Sequence, residues 1–179
     1  MNRLKKEDVE RFLNKERKAG DPENYETSWN EEGLPVSKKK SEIKKGRASR
    51  ARGARFELKV RRDLEEKGRT VDKWGNNVEM DENEGKLIIA KRKYNPVTKF
   101  MAIGTGFPDF IALKKVHEGL YSAIGVEVKI NGILSKEEKE KCRWYLEKGI
   151  FSDIWIAKEK KDGRKSEVEY VDFKERYIR

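Results

Sequence analysis

The sequence predicts an α/β fold, a mixed β-sheet with helices packed on it and a basic N-terminal extension. Three observations carry this reading. Phe56, Val60 and Leu64 recur at spacings of four and give one helix face its apolar stripe. Two strand-like runs, 109–116 (DFIALKKV) and 121–130 (YSAIGVEVKI), are joined by the short loop His117-Glu118-Gly119-Leu120. A capped helix and a further apolar run, Ile154-Trp155-Ile156-Ala157, follow them. Helix, strands, hairpin, helix, strand is the order of a layered domain with a mixed sheet.

Residues 1–19 read as a helix with a narrow stripe of Val9, Phe12 and Leu13, stopped by Gly20-Asp21-Pro22. From Asp21 to about Pro35 there is no periodicity, and Pro22, Gly33 and Pro35 mark a loop or linker. Tyr25 and Trp29 are expected to anchor it by core packing, with base stacking as the alternative. The segment 36–55 carries Lys38, Lys39, Lys40, Lys44, Lys45, Arg47, Arg50, Arg52 and Arg55 against one acid, Glu42. Such a run is often only a solvated face. Here its sign is nearly pure, and Gly46, Ser49 and Gly53 keep the backbone adaptable. It reads as an arm that tracks phosphates and orders on nucleic acid.

The helix 54–67 ends at Gly68, and 71–74 reads as a first strand. The stretch 76–85 is polar and turn-like. KLIIAKR (86–92) is a short strand or an insertion, and 94–101 is ambiguous around Pro96. Ser135-Lys136-Glu137-Glu138 is a capping box that opens a helix running to Lys148 and closed by Gly149. Residues 167–173 read as an edge strand with Val168 and Tyr170 on one face. The chain divides into an N-terminal helix with a basic arm, 1–49, and a domain, 50–179.

Composition bounds the function. A chain of 179 residues with net charge +10 fits one domain with an appendage and an anionic partner. A single cysteine, Cys142, excludes an internal disulfide and suits a reducing compartment. No run is apolar and long enough to span a bilayer, and no signal-peptide pattern is present, so a soluble, intracellular, cytoplasmic protein is expected. Charged residues make up 42% of the chain and Gln is absent, both features of proteins adapted to heat.

The chemistry follows from strand geometry. Residues two apart share a face, so Glu127 and Lys129 point together while Val126 and Val128 bury on the other side. Asp109 opens the neighbouring strand directly after Pro108, and in a hairpin the start of one strand meets the end of the next. Asp109 is therefore expected beside Glu127 and Lys129. Two adjacent carboxylates repel and need compensation, which a hard cation such as Mg²⁺ (Mn²⁺ substituting) supplies through carboxylates, water and phosphate oxygens. The Val128 carbonyl is a further donor. The ion would polarise the phosphoryl group and acidify a water. Lys129 stays protonated, orients the attacking water and neutralises charge on the phosphate. Glu57, at the edge of the first helix's buried face, is a further acid for the metal. The bland alternative is a surface Asp/Glu–Lys salt bridge.

Glu57, Gly106-Phe107-Pro108-Asp109 and Glu127-Val128-Lys129 together resemble the PD-(D/E)xK nuclease superfamily. Gly106 to Gly149 is similar to the virus-type replication-repair nuclease modules, with Gly132-Ile133-Leu134-Ser135 matching their helix start. Gly53 to Gly68 resembles the first helix of archaeal Holliday-junction resolvases. The resemblance covers roughly residues 50–160 and leaves 1–49 without a counterpart. It implies a restriction-endonuclease-like sheet, Mg²⁺- or Mn²⁺-dependent phosphodiester hydrolysis and often a homodimer. It makes Asp109 and Glu127 metal ligands, Lys129 the catalytic lysine and Glu57 the helix acid. One departure stands out: Glu138 occupies a place where these modules often carry Gln. The expected function is a DNA endonuclease, with branched or flapped DNA favoured by the resemblance alone. The alternatives are a nucleic-acid-binding protein that cuts nothing and an RNA nuclease.

Other signals are weaker. Gly104-Thr105-Gly106 lacks the G-K-[ST] of a nucleotide loop. His117 is the sole histidine, which disfavours a multi-histidine zinc site or a Ser-His-Asp triad. Cys142 reads as a packing residue, and Trp144, Tyr145 and Leu146 as core or dimer surface.

Overall fold

The computed structural model describes residues 6–80, 84–90, 93–95, 100–102, 106–163 and 165–178. Two compact units, Met1–Ala54 and Arg55–Arg179, divide the chain.

The second unit is organised by one mixed sheet. Its strands are β3 (Thr70–Lys73), β8 (Phe110–His117), β9 (Leu120–Val128), β10 (Asp153–Asp162) and β11 (Lys165–Asp172), in the order β11-β10-β9-β8-β3. All neighbours are antiparallel except β9 and β10. A parallel pair needs a crossover, and helix α3 (Lys136–Glu147) supplies it. Alternation along the strands sorts side chains to two faces. On one face Phe56, Val60 and Leu64 of helix α2 (Lys40–Glu66) pack with Val71, Phe110, Ala112, Ile124, Val126 and Ala157. On the other, Cys142 and Tyr145 of α3 pack with Ile154, Ile156, Phe151 and Phe173. Trp144 and Leu146 pack against this second cluster, and Cys142 is fully buried, as a packing residue should be.

The helix ends follow the sequence closely. Arg69 N–H bonds Leu64 O at 3.1 Å and Gly68 N–H bonds Glu65 O at 2.9 Å; Ile150 and Gly149 repeat the pattern on Tyr145 and Leu146. Both are Schellman ends, and both glycines sit at positive φ (75° and 65°). Ser135 caps α3 with the full capping box. The expected edge strand forms as β11 but ends at Asp172, whose side chain caps a short helix α4 (Phe173–Tyr177), so Phe173 opens the helix instead of closing the strand.

One segment expected as turn-like and one left ambiguous contribute strands. The polar stretch after Trp74 forms β4 (Asn76–Met80), paired antiparallel with β5 (Gly85–Ile89). Its one buried apolar side chain, Val78, is too little for a visible alternation. The ambiguous 94–101 region contributes a second small pair, β6 (Lys93–Asn95) and β7 (Phe100–Ala102). Pro96 and the Gly104-Thr105 half of the GxG motif lie outside the described residues.

The first unit differs from expectation more. Helix α1 (Lys6–Ala19) forms, but the expected linker holds strand β1 (Tyr25–Trp29), which pairs with β2 (Pro35–Lys39). Its signals are polar. Thr27 and Ser37 hydroxyls meet across the strands at 2.8 Å, and Asn30 Oδ1 accepts the Leu34 N–H at 2.8 Å to close the turn. Trp29 is 70% exposed, so it is no core anchor. The basic segment is no adaptable arm either: it is β2 followed by the first part of α2. Its many Ala, Arg and Lys residues favour helix strongly enough to carry Gly46 and Gly53. Among the described residues, no apolar side chain of this unit is buried.

Candidate active site

The β8–β9 ladder runs down to the pair Phe110↔Val126 and stops. Beyond it, side chains take over from backbone. Asp109 N–H donates to Glu127 Oε2 at 3.2 Å, and Val128 N–H donates to Asp109 Oδ2 at 2.9 Å. Each acid thus accepts from the other's strand. The Asp109 carbonyl accepts the Trp74 N–H at 3.2 Å, tying the acid to the end of β3. The turn before it, with a cis Phe107–Pro108 bond, is held by Phe107 N–H on Asn76 O at 2.9 Å. Gly106 leaves no alternative there, because a Cβ would lie 2.0 Å from Trp74 O and 2.5 Å from Asn76 O. Gly125 admits Pro108 against β9, since a Cβ would meet Pro108 Cγ at 2.8 Å.

Lys129 completes the group. Its Nζ lies 3.0 Å from Glu127 Oε1 and 2.6 Å from Glu138 Oε1. Glu138 comes from the first turn of α3, and its Oε2 accepts the Ser135 N–H at 2.7 Å. The structure therefore brings Asp109, Glu127 and Lys129 together, as the hairpin geometry predicts, and adds Glu138.

The electrostatics are those of acids held together away from water. Glu127 is 4% exposed, the one charged residue among the buried ones described. Burial, then the Asp109 charge, pushes its pKa up to about 8 against the opposing pull of Lys129. Asp109 is also raised, by burial and by Glu57, while the Val128 N–H, Lys73 and Lys129 draw it down. Burial opposes the charge on Lys129, but Glu138 and Glu127 outweigh it and hold the ammonium protonated well above its ordinary range. Burial likewise opposes charge on Glu138, and Lys129 with the Ser135 backbone N–H outweighs it, lowering that pKa.

Glu57 stands at the margin. Its charge is felt by Asp109, yet its Oε2 is engaged by Lys73 Nζ at 2.7 Å. Among the described residues, no group of three or more His, Cys, Asp and Glu side chains is placed to hold a metal ion. The donor set is thus two carboxylates, the buried Glu127 and the half-buried Asp109. The Val128 carbonyl lies on the same edge of its strand as the N–H bonded to Asp109. Among the described residues no hydrogen bond engages Asp109 Oδ1. An all-oxygen set of two carboxylates, both raised above their ordinary range, fits a hard divalent cation, with its remaining positions left to water and substrate.

The expected nucleic-acid contacts Lys38, Lys39, Lys40, Lys44, Lys45, Arg47, Arg50, Arg52 and Arg55 are all exposed, the first two on β2 and the rest on α2. Glu138 was visible as a capping-box residue and, through the resemblance, as an extra acid near the site, but its grip on Lys129 was not. Lys73, the last residue of β3, gave no signal beyond its charge. No helix among the described residues is long and apolar enough to cross a membrane. Comparison of the chain with protein-family models, curated proteins and solved structures finds no match.

Proposed function

We propose that this chain is a metal-dependent endonuclease acting on DNA, with a restriction-endonuclease-like arrangement of the PD-(D/E)xK kind in its second unit. The observation that carries the reading is the meeting of Asp109, Glu127 and Lys129 where the β8–β9 ladder ends. Asp109, Glu127 and the Val128 carbonyl would hold Mg²⁺ or Mn²⁺, which when bound supplies Lewis-acid activation of the phosphodiester and of water. The chain's own residues do the rest. Lys129, kept protonated by Glu127 and Glu138, places a positive charge beside the acids, where negative charge grows on the phosphate. Burial of Glu127 keeps bulk water from the carboxylates and strengthens the field they share with Lys129. Glu57 joins only by leaving Lys73. The basic face of β2 and α2 supplies sequence-independent grip on the backbone. Branched or flapped DNA is the favoured substrate, by the resemblance alone, and the resemblance is compatible with a homodimer.

A second reading is a nucleic-acid-binding protein that cuts nothing. It draws on the engagement of Glu57 by Lys73. One panel separates the two: plasmid, branched and flapped DNA and single-stranded RNA, each with Mg²⁺, Mn²⁺ or EDTA. Cleavage that needs the metal and is lost in Asp109→Ala, Glu127→Ala and Lys129→Ala, with DNA binding kept, is the expected result. Unchanged cleavage in all three variants would end the proposal, and cleavage of RNA alone would make the chain an RNA nuclease instead.

A further inference from the structure

We infer that Glu138 is a positioning residue for Lys129, holding the ammonium in place through a carboxylate shared with the N-terminus of α3; this rests on the nuclease reading above. Three contacts carry the inference. Oε1 of Glu138 accepts from Lys129 Nζ at 2.6 Å, shorter than the 3.0 Å between Lys129 and Glu127. Oε2 accepts the Ser135 N–H at 2.7 Å, and the Glu138 N–H returns to Ser135 Oγ at 3.2 Å. The carboxylate is therefore fixed at both oxygens. One end is anchored in the helix start, so the other presents a stationary negative charge to the lysine.

The need for a second carboxylate follows from the work assigned to Glu127. A cation held by Asp109 and Glu127 competes with Lys129 for the same oxygens. A lysine held only by Glu127 would lose its partner when the ion arrives. Glu138 stands on a different element, α3, and is not one of the carboxylates assigned to the ion. It keeps Lys129 in register while Glu127 changes partners. A glutamine there reproduces this only in part, because one of the two accepting oxygens becomes an NH₂ donor facing another donor, Ser135 N–H or Lys129 Nζ, and it carries no charge.

The hydroxyl of Ser135 gives a clean control. Ser135→Ala removes the bond to the Glu138 N–H and weakens the cap, but leaves the Glu138–Lys129 contact. The first measurement needs neither metal nor DNA. Reductive methylation of the full chain, followed by mass spectrometry, gives the rate at which Lys129 is modified. That rate is expected to rise several-fold in Glu138→Ala, less in Glu138→Gln, and not at all in Ser135→Ala. The second measurement is steady-state cleavage of a flapped oligonucleotide with Mg²⁺. Glu138→Ala is expected to lower kcat by about 10- to 100-fold with KM little changed, the size typical of supporting partners. Glu138→Gln should recover part of it, and Ser135→Ala should keep the wild-type kcat. An unchanged modification rate in Glu138→Ala would overturn the inference, as would a kcat loss matched by Ser135→Ala. Should the wild type cut nothing while Lys129 still becomes reactive in Glu138→Ala, the nuclease reading falls and the hold of Glu138 on Lys129 stands.

Discussion

At one end of the β8–β9 hairpin the carboxylate of Glu127 is 4% exposed; at the other, Val116, Leu120 and Tyr121 are between 62% and 69% exposed. The usual sorting of polar and apolar groups is reversed along one pair of strands. The neighbours explain it. Strand β3 pairs with β8 only over Phe110–Leu113, and β10 pairs with β9 only over Ile124–Val128. Past those residues the hairpin has no lateral partners, and its apolar side chains find nothing to pack on. At the site end the strands are flanked on both sides and covered by α3, so an acid placed there is buried whether or not burial suits it. Apolar exposure at the tip reflects a lack of neighbours. Acid burial at the base is sustained by specific donors, the Asp109 N–H and Lys129.

Four measurements break or sharpen this contrast. The largest effect belongs to Phe110, next to Asp109 and 2% exposed. Phe110→Ala should cost about 3–5 kcal/mol in denaturant unfolding, because it opens a cavity in a filled core. A cost near zero would mean that the base of the hairpin is as loosely held as its tip.

Next comes Glu127→Gln. The folded pKa of Glu127 lies above its unfolded value, so its contribution to stability is full below about pH 4.5 and is lost as pH rises through about 8. The substitution removes that slope. At pH 9 it should stabilise the metal-free protein by on the order of 1–4 kcal/mol, and at pH 5 it should do little. Equal effects at both pH values in thermal unfolding would show that burial is not straining the acid.

Mg²⁺ should act in the same direction by a different route. Binding requires the deprotonated carboxylates, so the ion should raise Tm more at pH 9 than at pH 6. The gain at saturating ion is about 2–3 kcal/mol. Asp109→Asn should abolish it, and a shift that survives in that variant would place the ion elsewhere. The smallest effect is at the tip: Leu120→Ser should change stability by less than about 0.5 kcal/mol, the usual range for an exposed position. A larger loss would reveal that Leu120 is covered in solution, and a change in sedimentation would identify a second copy as the cover.

Much of the second unit was legible because its signals are local. Phe56, Val60 and Leu64 give the helix period, Ser135 and Glu138 the cap, and the DFIALKKV and YSAIGVEVKI runs the hairpin. The meeting of Asp109 with Glu127 and Lys129 followed from those runs and a short loop, since antiparallel register leaves few choices. Lys73 was not legible, because its partner Glu57 arrives from a different element through tertiary packing. The same holds for Glu138: its local bond to Ser135 could be read from spacing, and its distant bond to Lys129 could not. The β1–β2 hairpin was missed for another reason. Strand signals rest on apolar alternation, and Thr27 against Ser37 is a polar pair held by hydroxyls. The same weakness hid β4, where Val78 alone faces inward.

The exchange of donors between Asp109 and Glu127 gives the protein two reporters of its own. The amide protons of Asp109 and Val128 each end on a carboxylate oxygen of the opposite strand. Any ion or proton that captures those oxygens must alter the resonance positions and solvent-exchange lifetimes of both amides together. Capture of these carboxylates can therefore be followed from two backbone NMR signals, with no dye or substrate introduced.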